Sequence, residues 1–188
     1  MRLLLGEILQ ILVFEGIGHM KLAEAKQEFI QAWGTLGSKW GVNRTMAQVH
    51  SLLLITPNSI SADEVMEELN ISRGNANMNL RALIDWGLIK KELKPGERRE
   101  FFYAEKDIWK VARQIMRERK RRELDPLQQI LNELKNVEQD TEEAKAFYEM
   151  VNELSSFTNR ANQTLDTLMS SEENWFLNSF MKLMKAKG

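Results

Sequence analysis

The sequence predicts a mainly α-helical chain carrying one small β-hairpin, and three observations predict it. Apolar residues recur at helical spacing over most of the 188 residues. Between Ser61 and Glu105, two capped helices joined by a short turn precede a strand, a turn and a returning strand. From about Thr141 to Ser170, apolar residues alternate at spacings of four and three. The middle order is that of a winged helix-turn-helix, a module that reads DNA. The last pattern is a heptad seam, which suits a helical dimerisation extension. The expected organisation is an N-terminal extension over 1–19, a winged helix-turn-helix domain over 20–105, and a helical connector and dimerisation region over 106–188.

Each element has its own local reason. Residues 1–19 are apolar but interrupted by Glu7, Gln10 and Glu15, and no small-residue cleavage site follows. Their uninterrupted apolar runs are too short to span a bilayer. They read as an amphipathic helix, or as an upstream extension with Met20 as the start; we favour the second. A helix over about Lys21–Gly37 presents Leu22, Ala25, Phe29, Ile30, Trp33 and Leu36. Asn43 is a good N-cap for the next helix, which carries Met46, Val49, Leu52, Leu53 and Leu54. Ser61 with Glu64 forms a capping box for a third helix. Asn70-Ile71 is its turn, and Ser72 caps a fourth helix that Gly87 stops near Trp86. Leu88–Leu93 and Arg99–Ala104 read as strands around a Pro95-Gly96 turn. A fifth helix covers about Asp107–Glu123, Asp125-Pro126 restarts a helix, and the long heptad helix follows. A last short helix would carry Trp175, Phe176 and Phe180.

Composition narrows the chemistry. The chain has no cysteine, so disulfides and thiolate zinc sites are excluded, and a reducing cytoplasm fits. Its two histidines, His19 and His50, lie far apart, and no HExxH-like spacing supports a metal site. No phosphate-binding Gly-rich loop and no Ser–His arrangement points to an enzyme, and no cofactor is expected. The net charge of −1 hides an asymmetry. Residues 61–122 hold 15 Lys/Arg against 11 Asp/Glu, whereas residues 123–188 hold 6 against 12. A basic middle that coincides with a helix-turn-helix pattern suits a polyanionic partner.

The fourth helix carries the candidate reading residues. A helical wheel places Ala76, Leu80, Leu83 and Ile84 on the buried face. Gly74, Asn75, Met78, Arg81 and Ala82 lie opposite, with Arg73, Asn77 and Asn79 on the flanks. Asn bonds adenine and Arg bonds guanine in a major groove, and Met78 suits a thymine methyl. Gly74 would let the helix start lie close to the sugar-phosphate chain, and Ser72 opens that helix. The plain alternative is an exposed, solvated face. It would more naturally use Glu, Lys and Gln, because three alternate Asn residues cost helix stability.

Lys94, Arg98 and Arg99 in the wing suit a minor groove or phosphates, and a plain basic hairpin is the alternative. Arg44 and Thr45 beside Asn43 suit a phosphate at a helix N-terminus, or ordinary capping. Arg117–Arg122 reads as a solvated connector more than as a DNA contact. The seam of Phe147, Val151, Leu154, Thr158, Ala161, Leu165 and Leu168, with Trp175 and Phe180 beyond it, is the candidate dimer interface. Packing of the seam within one chain is its alternative.

At Ser72–Leu88 the residues become specific. SRGNANMNLRALIDWGL, with WGVNRTMAQVHSLLLI upstream and LKPGERREFFYAEKDIWKVARQI downstream, resembles the glycine-betaine-synthesis-repressor branch of the MarR-like winged-helix regulators. The resemblance covers about Met20 to Glu123. It implies a cytoplasmic, homodimeric transcription factor of bacterial or archaeal type. It also implies a DNA-reading helix over Arg73–Arg81 and a wing over Leu88–Ala104. It leaves the effector unknown, although choline-type compounds are the best-known effectors of the family. Trp33, Trp40, Trp86, Trp109 and Trp175 are candidates for a cation cage in principle, and each is read as core instead.

The expected function is therefore a homodimeric DNA-binding transcriptional regulator, a repressor that reads a pseudo-palindromic operator. Double-stranded DNA and a second copy are its expected partners, with no membrane partner. A winged-helix module that docks to protein is the alternative, because fold does not dictate function.

Overall fold

The computed structural model describes residues 20–170. The expectations for residues 1–19, and those for Trp175, Phe176 and Phe180, lie outside the described residues. The helices are α1 (Leu22–Lys39), α2 (Arg44–Ile55), α3 (Ala62–Leu69), α4 (Arg73–Asp85), α5 (Ile108–Arg119), α6 (Asp125–Leu134) and α7 (Glu142–Ser170). The strands are β1 (Ile60–Ser61), β2 (Ile89–Leu93) and β3 (Glu100–Ala104), and a π-helical turn spans Lys120–Leu124. The described chain divides into two compact units. One holds the residues up to Arg81 with Glu92–Tyr103; the other holds Ala82–Lys91 and the residues from Ala104 onward.

In the first unit α1 packs on α2, and two glycines permit the approach. A Cβ on Gly34 would stand 2.7 Å from Gln48 Cγ, and one on Gly37 would stand 2.6 Å from Ala47 Cβ. Ile30, Met46, Val49, Leu53, Val65, Ala76 and Leu80 are buried there, and removing this apolar surface from water stabilises the unit. Only part of the expected α1 stripe is covered, since Leu22 and Phe29 are exposed.

The caps form as their chemistry requires. Asn43 Oδ1 accepts from the Met46 N–H at 3.1 Å. Glu64 Oε2 accepts from the Ser61 N–H at 2.7 Å, and the Glu64 N–H donates to Ser61 Oγ at 3.3 Å. Asn70 ends α3 in the left-handed region at φ 49°, which Asn tolerates better than most residues. The sequence pattern did not reveal β1. Its two residues pair antiparallel with β3, Ile60 opposite Phe102 and Ser61 opposite Phe101, giving the sheet order β1-β3-β2. Two residues are too few to show a period.

In the second unit, Gly87 at φ 68° closes α4. The Gly87 N–H donates to Ile84 O at 2.8 Å and the Leu88 N–H to Leu83 O at 3.0 Å, the paired bonds of a Schellman ending. The expected restart at Asp125-Pro126 is not a break. Helical backbone runs from α5 through the π-turn into α6. Pro126 lacks an N–H and crowds the carbonyl four residues back, and the wider π-turn lies where that conflict falls.

Helices α6 and α7 form an antiparallel hairpin. Lys120 Nζ lies 3.6 Å from Asp166 Oδ1. Farther along, Gln128 Nε2 donates to Ser155 Oγ at 2.8 Å, and Ser155 Oγ donates to Asn132 Oδ1 at 3.4 Å. One residue number rises as the other falls. The expected heptad seam splits here. Val151, Ser155 and Thr158 are buried within the chain, whereas Phe147, Met150, Leu154 and Phe157 are exposed. Leu165 and Leu168 are half-buried.

Candidate nucleic-acid interface

Helix α4 is 13 residues long, about 20 Å at the α-helical rise, and its outer face is uncovered. Arg73, Gly74 and Arg81 are exposed, Asn75 and Asn77 are half-buried, and Met78 is 59% exposed. Ser72 Oγ accepts from the Asn75 N–H at 3.3 Å, so the expected cap is present. A Cβ on Gly74 would meet nothing within 4 Å. Packing therefore does not require glycine there, and its effect is to leave helix backbone open to whatever approaches.

Two residues differ from the wheel. Ile84 is 37% exposed rather than buried. Asn79, expected on a reading flank, is 3% exposed and faces inward. Its Nδ2 donates to the Asn75 carbonyl at 2.8 Å and to Asn75 Oδ1 at 2.6 Å. Both N–H groups of the Asn79 amide are thereby engaged. In this structure the Asn79 side chain is therefore bonded to Asn75 and is not presented at the outer face.

The expected cations differ in their commitments. Arg73 Nη2 lies 3.0 Å from Asp63 Oδ1 on α3, an exposed pair. Such a pair contributes little stability, but it steers the guanidinium. Arg81 is exposed and has no ion-pair partner among the described residues. Arg44 Nη2 donates to Gln31 Oε1 at 2.9 Å, and Gln48 Nε2 donates to the same oxygen at 3.1 Å. Arg44 is thus braced against α1, and Thr45 is half-buried.

In the wing, Lys94 is not at a free tip. Its Nζ sits 3.9 Å from the Phe101 ring centroid and 3.4 Å from the Ser59 carbonyl oxygen, so a cation–π contact holds it. Arg99 pairs with Glu97 at 3.3 Å. Arg98 is exposed and has no ion-pair partner among the described residues, which leaves it the uncommitted one of the three expected wing cations. Glu64 lies near this cluster. The Ser61 N–H lowers its pKa below the ordinary 4.5 most, then the Ser61 hydroxyl, with Arg99 and Lys94 adding smaller effects.

The tryptophans do not all behave as core. Trp40 is exposed. Trp33 stacks on Phe29 at 5.6 Å, and Trp86 lies under the Arg122 guanidinium at 5.2 Å. Trp175 lies outside the described residues.

No protein-family model matches the sequence, and no curated protein matches it. Among solved structures, the fold is similar to a crystal structure described as that of a transcriptional regulator. That likeness has a TM-score of 0.56 at 21% identity and covers 78% of this chain and 99% of that one. The fold is a winged helix with a helical extension. A fainter likeness, TM-score 0.34 at 13% identity over 87% of this chain and 92% of the other, is to MepR, a transcription regulator of the Staphylococcus aureus multidrug efflux pump MepA. A mutant MepR bound to an oligodeoxyribonucleotide scores 0.35 at 13% identity, over 87% of this chain and 91% of that one.

Proposed function

We propose that the chain is a DNA-binding transcriptional regulator that acts as a homodimeric repressor on a pseudo-palindromic operator. The carrying observation is the Asn79–Asn75 lock on an otherwise open α4. A buried amide that fixes the orientation of an outward amide is the preorganisation that base reading needs. Asn75, Arg81 and Met78 would meet base edges. Arg73, Asn77 and the open backbone at Gly74 would lie along the flanks, and Arg98 would hold a phosphate or enter the minor groove. Arg44 and Thr45, where α2 opens, suit a phosphate.

The second copy is supported by the apolar face of the α6–α7 hairpin. Leu127, Ile130 and Leu134 on α6, and Phe147, Met150, Leu154 and Phe157 on α7, are all exposed. On antiparallel helices both stripes lie to the same side of their inner seam. Their union is a patch with no partner among the described residues, of the kind that marks an interface. A two-fold dimer would set its half-sites about one helical turn, roughly 34 Å, apart. The resemblance to the glycine-betaine-synthesis-repressor branch of MarR-like regulators agrees with this reading, in which the protein would act on DNA in the cytoplasm. Among the described residues, no helix is long and apolar enough to cross a membrane.

Fluorescence anisotropy with the DNA upstream of the chain's own gene, against a scrambled duplex at two salt concentrations, tests the reading. Specific binding that weakens steeply with salt and is reduced by Arg81→Ala supports it. Equal binding to both duplexes, unchanged by that substitution, counts against it and in favour of a protein-docking module.

A further inference from the structure

We propose that a small cationic cavity beside the C-terminal end of α4 binds a small dianion, with the two charges of a phosphate group or a compact dicarboxylate. The cavity measures about 260 Å³, below the roughly 300–1,000 Å³ of drug-sized sites. Leu88 and Val111, both buried, supply apolar lining. Lys90, Lys110, Arg113 and Arg117 supply the charge, and Glu105 is the lining carboxylate.

Charge pairing decides what fits. Glu105 Oε1 accepts from the Asp107 N–H at 3.1 Å, which turns it to the start of α5. Lys110 Nζ lies 3.4 Å from Asp107 Oδ2. Arg117 Nη1 donates to Gln114 Oε1 at 2.6 Å, an uncharged partner that positions the guanidinium. Lys90 and Arg113 have no ion-pair partner among the described residues. After Glu105 and Asp107 are counted against the four cations, two positive charges remain uncompensated. A dianion balances them. A nucleic-acid phosphodiester carries one charge and must leave room for chain on both sides.

The site also touches the element that ends α4. A Cβ on Gly87, at φ 68°, would stand 3.0 Å from Gln114 Nε2. Gln114 therefore fills the space between the terminating glycine and Arg117. A ligand gripping Arg117 bears on Gln114 and, through it, on the Schellman ending. The binding stands on its own geometry. Its value as a regulatory input rests on the DNA-reading proposal.

Calorimetric titration of the full chain, without DNA, tests the binding separately from that proposal. The probes are inorganic phosphate, succinate, and dimethyl phosphate as a stand-in for a nucleic-acid backbone. The expected result is saturable one-to-one binding of phosphate or succinate. Arg113→Gln and Lys90→Gln should each weaken it about ten-fold, the scale of one charge-assisted hydrogen bond, while Arg98→Gln on the wing leaves it unchanged. Dimethyl phosphate binding more tightly than either dianion would overturn the proposal in favour of a DNA phosphate contact. So would unsaturable binding, or an equal loss in Arg98→Gln, which indicate diffuse surface charge.

Discussion

Asn79 Nδ2 donates to Asn75 Oδ1 at 2.6 Å, and this bond joins the buried face of α4 to its outer face. In the proposed reading it gives the asparagines different work: Asn75 would meet the partner, and Asn79 would keep it oriented. Asn79→Ala should therefore weaken specific DNA binding although the side chain never reaches DNA. A double-mutant cycle with Asn75→Ala checks this: the two losses should be strongly non-additive. Loss of the buried hydrogen bonds should also lower stability by about 1 kcal/mol.

Gly74→Ala separates folding from reading. Nothing lies within 4 Å of the added Cβ, and alanine favours helix over glycine by about 0.8–1.0 kcal/mol. Thermal unfolding should shift slightly upward. DNA affinity should fall, because the methyl group occupies the space a sugar-phosphate chain would take. An unchanged affinity would remove Gly74 from the interface.

The wing cations should divide in the same way. Arg98→Ala should leave stability unchanged and reduce the salt slope of DNA binding by about 0.9, one phosphate contact. Lys94→Ala should destabilise the fold by about 0.5–1 kcal/mol, the size of an exposed cation–π contact, because it uncovers Phe101. Chemical denaturation and salt titration of both variants check the division.

Acid should unfold the second unit partly through Glu118. The Arg121 guanidinium, bonded at 2.7 Å, and then Arg122 at 3.2 Å hold its carboxyl below the ordinary 4.5, against burial, which pulls the other way. A lowered folded pKa means that the unfolded chain binds the proton first. The contribution is present in full above 4.5 and is lost as pH falls through the folded value. Glu118→Gln should be less stable than the parent at neutral pH and should approach it in acid, as followed by denaturation across pH.

Phe157→Glu should keep the monomer fold, because Phe157 is 68% exposed, yet dissociate a dimer built on the α6–α7 face. Sedimentation should show a shift to monomer together with weaker binding to a two-half-site duplex. A monomeric parent chain would contradict this interface.

Much of the fold was legible because its signals are local. Ser61 with Glu64, Asn43 and Gly87 each act on backbone groups within a few positions, so residue type and spacing suffice. The inward turn of Asn79 was legible in part: it lies three positions from Ala76 and one from Leu80, beside the buried stripe. Its polarity led to the opposite assignment, and only the partner on Asn75 explains how a buried amide is satisfied. Lys94 on Phe101 and the cavity cations around Val111 were not legible, because strand pairing and helix packing bring together residues distant in sequence. The long seam was ambiguous for another reason. One heptad pattern fits both an inner face against α6 and a neighbouring outer face, and burial alone separates Val151 from Phe157.

The most direct test of the central claim is selection of binding sites from a random duplex library, with the parent chain and Asn75→Ala in parallel. The account predicts that the parent enriches a pseudo-palindrome with half-sites one helical turn apart. It also predicts that Asn75→Ala loses preference at one symmetric pair of positions while keeping the rest. No enrichment by the parent chain, or an identical motif from both proteins, would contradict the claim that α4 reads sequence.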